Sequence, residues 1–337
     1  MAAGWKLQRA DYLQKHLSED EIWYRVNYFY SNNSKKRNTY KFGLVKAILD
    51  SVFTMYYLDG GYYLSYERLF EKFAHNYWNL VTKYQLKQMR KDGRSEESAI
   101  EQILMKHKNE KFSDVSVDFD SISIDDKMKI VTLVKNQCKR YALGALYEDF
   151  CGDIYSFDLK GEGIYLNPIF YEFFCKYKVE IEKINYYEWA KFLETVNSEE
   201  ALIRVIDKLE LATPKREDLS VYRQILENEF EQHTCFYCGK KLNRKVHVDH
   251  FIPWSFVKDD RIWNFVLACP TCNAKKNNSL ADRMYVNAII KRNESLRTET
   301  VNPLIIDQFK SYSCEQIVRL WNYATMSGYR AGFKIEN

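Results

Sequence analysis

Apolar residues along this chain recur at steps of three and four, the spacing that lines one face of an α-helix. In TYKFGLVKAILDSVFTMYYL (39–58) Phe42, Val45, Leu49 and Phe53 keep that step, and in SYERLFEKFAHNYWNLVTKYQLKQM (65–89) Leu69, Phe73, Tyr77 and Leu80 do the same. Both stretches predict amphipathic or buried helices. The first proline is Pro168, and there are five in all, so the N-terminal half holds few helix breakers and should be mainly helical. Two segments break the pattern. SDVSVDFDSISI (113–124) alternates apolar and polar residues and predicts a strand or an acidic loop, while SFDLKGEGIYL (156–166) predicts a hairpin around its glycines. Helices resume from Asn167, with Pro168 suited to a first turn and Tyr171, Phe174, Val179 and Ile181 in an apolar-rich run. LATPKRED (211–218) interrupts the helical pattern with a proline and a charged cluster and predicts the seam between domains 1–215 and 216–337. Helices are expected again over 284–292 and 314–326, wrapping a core at 231–290. The fold class is mainly α.

Composition narrows the picture. With 46% apolar and 28% charged residues in 337, the chain is an ordinary globular one of roughly two domains at about 150 residues each. Disordered, collagen-like and coiled-coil classes are excluded. No run of about 18 apolar residues appears, and MAAGWKLQRADYLQKHL lacks the apolar segment of a secretory signal, so no membrane partner and a cytoplasmic location are expected. The 26 Tyr and 20 Phe recur at helical spacing without a basic residue beside each, which favours packing over base stacking.

Charge is local. Fifty Lys+Arg stand against 46 Asp+Glu, and residues 231–280 hold eight of the basic groups and four of the acidic ones, leaving 42 against 42 elsewhere. The surplus of four positive charges therefore belongs to one segment.

That segment also carries the chemistry. Cys138, Cys151, Cys175 and Cys314 are scattered, whereas Cys235/Cys238 and Cys269/Cys272 form two CxxC pairs with 30 residues between them, the first followed by Gly239 as a tight-turn residue. In a reducing compartment such clustering reads as metal binding rather than as buried or redox cysteines. Four thiolates match a closed tetrahedral Zn²⁺ site, which would be structural because every coordination position is taken. Bound to four thiolates, zinc would add about −2 to the segment, leaving it near +2. Between the pairs lies Val246-His247-Val248-Asp249-His250-Phe251-Ile252-Pro253, then Trp263-Asn264 and Cys272-Asn273. An adjacent carboxylate and imidazole at a strand end offer a hard oxygen ligand and a base titrating near neutrality. Asn273, Lys276 and Asn277 would share one helix face, and folding the hairpin over that helix would bring Asp249, His250 and Asn273 together.

These residues resemble the HNH endonucleases of the ββα-metal (His-Me finger) group, in the subgroup stapled by a four-cysteine zinc knuckle. The match spans about 45 residues, roughly an eighth of the chain. The Asp-His pair, with one Asn 14 residues after the His and another 23 after it, is also similar to the HNH domain of RNA-guided CRISPR nucleases. The resemblance implies that Asp249 and Asn273 bind one Mg²⁺ or Mn²⁺, that His250 is the general base, and that Asn264 fixes the loop holding His250. It implies hydrolysis of DNA phosphodiesters to 5′-phosphate and 3′-hydroxyl ends. Asn273 stands where many HNH enzymes have their last His, which favours an oxygen-loving ion at the active centre.

Other residues carry two readings each. Lys276 would steady transition-state charge or be a solvated helix lysine. Asn277 would be a third metal contact or polar surface, and His247 part of the metal shell or a hydrogen-bonded strand histidine. Trp254 and Trp263 are expected in the small-domain core; His16, His75, His107 and His233 are taken as structural. A helical module fused to an HNH domain resembles bacterial restriction and anti-phage defence nucleases. The alternatives are a partner- or ligand-activated non-specific nuclease and a catalytically silent zinc-containing nucleic-acid-binding module. Residues 1–215 would then select the target or engage a regulatory protein or nucleic-acid guide complex. One HNH domain makes one nick at a time, so double-strand cleavage would take a homodimer or two visits.

Overall fold

The computed structural model describes residues 6–14, 16–91, 96–112, 116–212, 219–229, 233–242 and 246–335. They form two compact units, the first made of residues 1–174 and 178–215, the second of 175–177 and 216–337. Helices dominate, with fifteen α-helices against seven short strands among the described residues. Among the described residues no helix is long and apolar enough to cross a membrane. Residues 213–218 of the expected seam lie outside the described residues.

The first unit is built on the helices Tyr40–Ser51, Tyr66–Thr82, Ile124–Asp149 and Lys178–Glu194. Ser65 and Ser123 start two of them by accepting the free backbone N–H of Arg68 and Asp126, which satisfies donors that a helix start leaves unpaired. The Tyr40–Ser51 helix is enclosed along nearly its whole length. Phe42 lies flat against Trp189, and Tyr77 packs against both Trp189 and Phe73. Several aromatic residues thus fill the core as expected, while Tyr24, Tyr57 and Tyr187 remain exposed.

Two helices are shorter than the stretches that predict them, the one over 65–89 ending at Thr82. The helix over 39–58 ends at Ser51, and Tyr56–Leu58 form a strand instead. Asp59 and Gly60 take positive φ (48° and 87°), the backbone of a tight hairpin turn that Asp-Gly favours. This turn reverses the chain into a five-stranded antiparallel sheet. Its strands β1 (Arg9–Ala10), β2 (Tyr56–Leu58), β3 (Gly61–Ser65), β4 (Tyr155–Asp158) and β5 (Gly163–Leu166) lie in the order β1-β4-β5-β3-β2. The hairpin expected over 156–166 is β4 and β5. Gly163 is required there, since a Cβ would sit 2.3 Å from the Leu64 carbonyl oxygen. Within 113–124, residues 113–115 lie outside the described residues, and the remainder forms a short 3-10 turn at Phe119–Ser121 rather than a strand. His75 bonds to the Ala212 carbonyl and to Asp120.

In the second unit, β6 (His247–His250) pairs antiparallel with β7 (Phe265–Ala268), His247 opposite Ala268 and His250 opposite Phe265. The helix Pro270–Lys276 follows at once, with proline in its first turn. Met284–Glu299 runs one to two turns beyond the helix expected over 284–292, and Cys314–Met326 forms as expected. Phe251, Ile252, Phe256, Val257 and Trp263 are fully buried, whereas Trp254 is half-buried.

Candidate active site

The four paired cysteines converge. Their sulfur atoms all lie within 4.8 Å of one another, and Cys238 Sγ is 3.9 Å from Cys269 Sγ. Tetrahedral ligands at about 2.3 Å from a central ion are about 3.8 Å apart, so the spacing suits a shared metal ion and is too long for a disulfide. Local backbone chemistry builds each half. Gly239, at φ 66°, closes the first turn by donating to the Cys235 carbonyl. Cys269 caps the Pro270–Lys276 helix, its sulfur accepting from the Cys272 N–H at 3.4 Å. Burial raises the Cys269 thiol, but the Cys272 N–H and the neighbouring thiols outweigh it and hold the group down at about 7. Phe236 N–H bonds to the Leu267 carbonyl, which ties this turn to β7.

Beside the cysteine cluster, alternation along β6 points His247 and Asp249 to one side and His250 to the other. Asp249 is buried. Tyr237, from inside the first CxxC, donates its hydroxyl to Asp249 Oδ2 at 2.5 Å. Burial, and then the Asp249 charge, push that hydroxyl well above its ordinary range, so it remains a donor. Lys276 Nζ reaches Asp249 Oδ2 at 3.0 Å and Oδ1 at 3.4 Å, and donates to the His250 carbonyl at 2.7 Å. Lys276 is neither solvated nor open to a ligand, for its exposure is 0%. The Asn273 side-chain amide meets His247 Nδ1 at 3.0 Å on the exposed rim. Asn273 Oδ1 accepts no hydrogen bond among the described residues, and Asp249 Oδ1 carries one long one. Carboxylate and amide oxygens are the donor type that a hard divalent cation takes.

The structure joins Asp249, Lys276, Asn273 and His247 along the seam between β6 and the Pro270–Lys276 helix, but gives the His250 ring a separate partner. His250 Nε2 lies 2.7 Å from Asp260 Oδ1, and the ring stands edge-on to Phe265 at 4.7 Å. Asn264 is fully buried; its Oδ1 accepts from Ile252 N–H at 2.8 Å, and its Nδ2 donates to the Ile252 carbonyl at 2.9 Å. It staples the turn leaving His250. Asn277 does not share the helix face with Asn273 and Lys276. The helix ends at Lys276, and Asn277 turns away at φ 47°, ψ −127°, a conformation outside the left-handed helical well that glycine ordinarily takes.

Two residues of this site, Tyr237 and Asp260, escaped the sequence reading. Tyr237 sits between metal-binding cysteines and reads as filler there. Asp260 belongs to the run Lys258-Asp259-Asp260-Arg261, where nothing in the spacing separates a buried acid from solvated charge.

Residues 235–281 match the family of HNH endonucleases. Comparison with curated proteins and with solved structures gave no match. The matched stretch runs from the first paired cysteine through Asp249, His250, Asn264, Asn273 and Lys276, so the match coincides with the hairpin and helix beside the cysteine cluster.

Proposed function

We propose that this chain is a metal-dependent DNA endonuclease that hydrolyses phosphodiester bonds to 5′-phosphate and 3′-hydroxyl ends. In this reading residues 1–215 select the target or restrain the nuclease, and the biological setting is restriction or anti-phage defence. The observation that carries it is the cysteine-stapled hairpin and helix, matched to HNH endonucleases, in which Asp249, His250, Asn264 and Asn273 all stand in one small unit. Zn²⁺ is the ion for the four cysteines, because four soft ligands close a tetrahedral site and leave no position for substrate.

The chemistry follows from the side chains. Asp249 and Asn273 would hold Mg²⁺ or Mn²⁺, which supplies positive charge to a non-bridging phosphate oxygen and to the departing 3′-oxygen. His250 takes a proton from the attacking water, a contribution worth about 10²–10⁴-fold. Asn264 holds the backbone beyond His250, so the base has a fixed origin. Lys276 acts on Asp249 rather than on the phosphate: its buried ammonium aims the carboxylate and offsets its charge until the ion arrives.

Nicking of supercoiled plasmid in Mg²⁺ or Mn²⁺ tests the proposal. Wild-type protein should convert plasmid to open circles, and His250→Ala should bind the same DNA while cutting at least 10²-fold more slowly. Equal cutting by both proteins would remove His250 from the mechanism, and DNA binding without cutting by the wild type would favour a silent binding module.

A further inference from the structure

We infer that Asp260 is a positioning residue for His250, selecting which ring nitrogen serves as the base; this inference rests on the nuclease reading above. Neutral imidazole carries one N–H and one lone pair, and the partner of one nitrogen decides the state of the other. An ionised carboxylate can only accept. Asp260 Oδ1, 2.7 Å from Nε2, therefore keeps the proton on Nε2 and leaves the Nδ1 lone pair to meet the attacking water. The two side chains are 7% and 8% exposed, so water competes poorly for either partner.

The surroundings hold this pair from both sides. Phe265 meets the imidazole edge-on, and Tyr222 braces Phe265 at 4.8 Å between ring centres. The loop presenting Asp260 is pinned on each flank. Arg261 bonds to Asp259 at 2.7 Å, the Ile262 N–H donates to Gln308 at 2.7 Å, and the Tyr222 hydroxyl reaches the Asp260 carbonyl at 3.4 Å. A carboxylate presented in this way, one residue from a fixed segment, has little freedom to leave the imidazole. Asp260 itself need not touch substrate, because its action passes through the ring.

A merely structural ion pair would contribute to folding and leave turnover alone, which sets the test. In full-length zinc-loaded protein labelled at histidine nitrogen, the His250 signals are identified by their absence in His250→Ala. In the wild type Nε2 should be the nitrogen that carries a proton. Asp260→Ala should redistribute that proton towards Nδ1 and lower kcat for plasmid nicking by on the order of 10- to 100-fold, with KM and zinc content unchanged. A wild-type ring whose single proton sits on Nδ1 overturns the inference and needs no variant to be folded. So does a cutting wild type whose Asp260→Ala variant keeps its kcat. Wild-type protein that cuts no DNA overturns the nuclease reading and this role with it, while the nitrogen spectrum still reports whether the Asp260 contact exists.

Discussion

Replacing Lys276 by methionine separates two roles that a lysine one turn beyond Asn273 can play. Methionine keeps most of the apolar stem and removes the charge. Lys276 has 0% exposure and its ammonium serves two acceptors, the Asp249 carboxylate at 3.0 Å and the His250 carbonyl at 2.7 Å. Without it Asp249, itself 6% exposed, keeps only the Tyr237 hydroxyl among the described residues. Removing one partner of a buried ion pair costs about 3–5 kcal/mol, and an orphaned buried carbonyl about 1–3 kcal/mol. The two losses overlap, so we expect Lys276→Met to destabilise the second unit by about 3–5 kcal/mol. A lysine waiting in solvent for a phosphate would change stability by no more than about 0.5 kcal/mol. Urea titration, read by zinc release to a chromogenic chelator, reports on this unit alone. With a denaturant slope of about 1–3 kcal/mol per molar, the midpoint should fall by on the order of 2 M. Adding Asp249→Asn to Lys276→Met should cost less than the two single changes summed, because the orphaned charge is gone. A midpoint shift below about 0.3 M together with lost nicking would refute this reasoning and return Lys276 to the substrate.

Two further expectations follow from other parts of the molecule. Cys238→Ser should lose about one zinc per chain by elemental analysis and loosen residues 231–290 while the helical unit keeps its far-ultraviolet dichroism, since such metals supply folding energy locally; unchanged zinc would sink the four-cysteine assignment. Gly43→Ala gains up to about 1 kcal/mol of helix propensity, but the new Cβ would lie 2.3 Å from the buried Tyr77 ring, and overpacking costs about 1–3 kcal/mol. Thermal melting should show a net loss of about 1–2 kcal/mol, and a more stable protein would mean that Tyr77 moves aside freely.

Much of this site was legible along the chain because its parts are local. A CxxC pair followed by glycine specifies its own turn, and a proline after Cys269 starts a helix wherever it is placed. The β4–β5 hairpin is equally local, since its glycines and alternating residues lie within eleven positions. The helical character of the first unit was legible for a related reason, as a three-four step of apolar residues survives in any packing that buries one face. Where a tight turn competed with that step, at Asp59-Gly60, the apolar spacing alone extended the helix too far.

What the sequence determined by itself, then, is the set of chemical groups and the local elements that carry them: four thiols, a carboxylate and imidazole side by side, two asparagines at fixed intervals. Tertiary structure decided which of these groups meet solvent and which meet each other. Lys276 is indistinguishable in sequence from the exposed Lys275 beside it, and only the packing of the Pro270–Lys276 helix on β6 buries its ammonium against Asp249. Asp260 is one of four consecutive charged residues, and only the course of the loop between β6 and β7 brings it to Nε2 of His250. Burial and hydrogen-bond partnership depend on atoms that approach through space, and no periodicity along the chain records that approach.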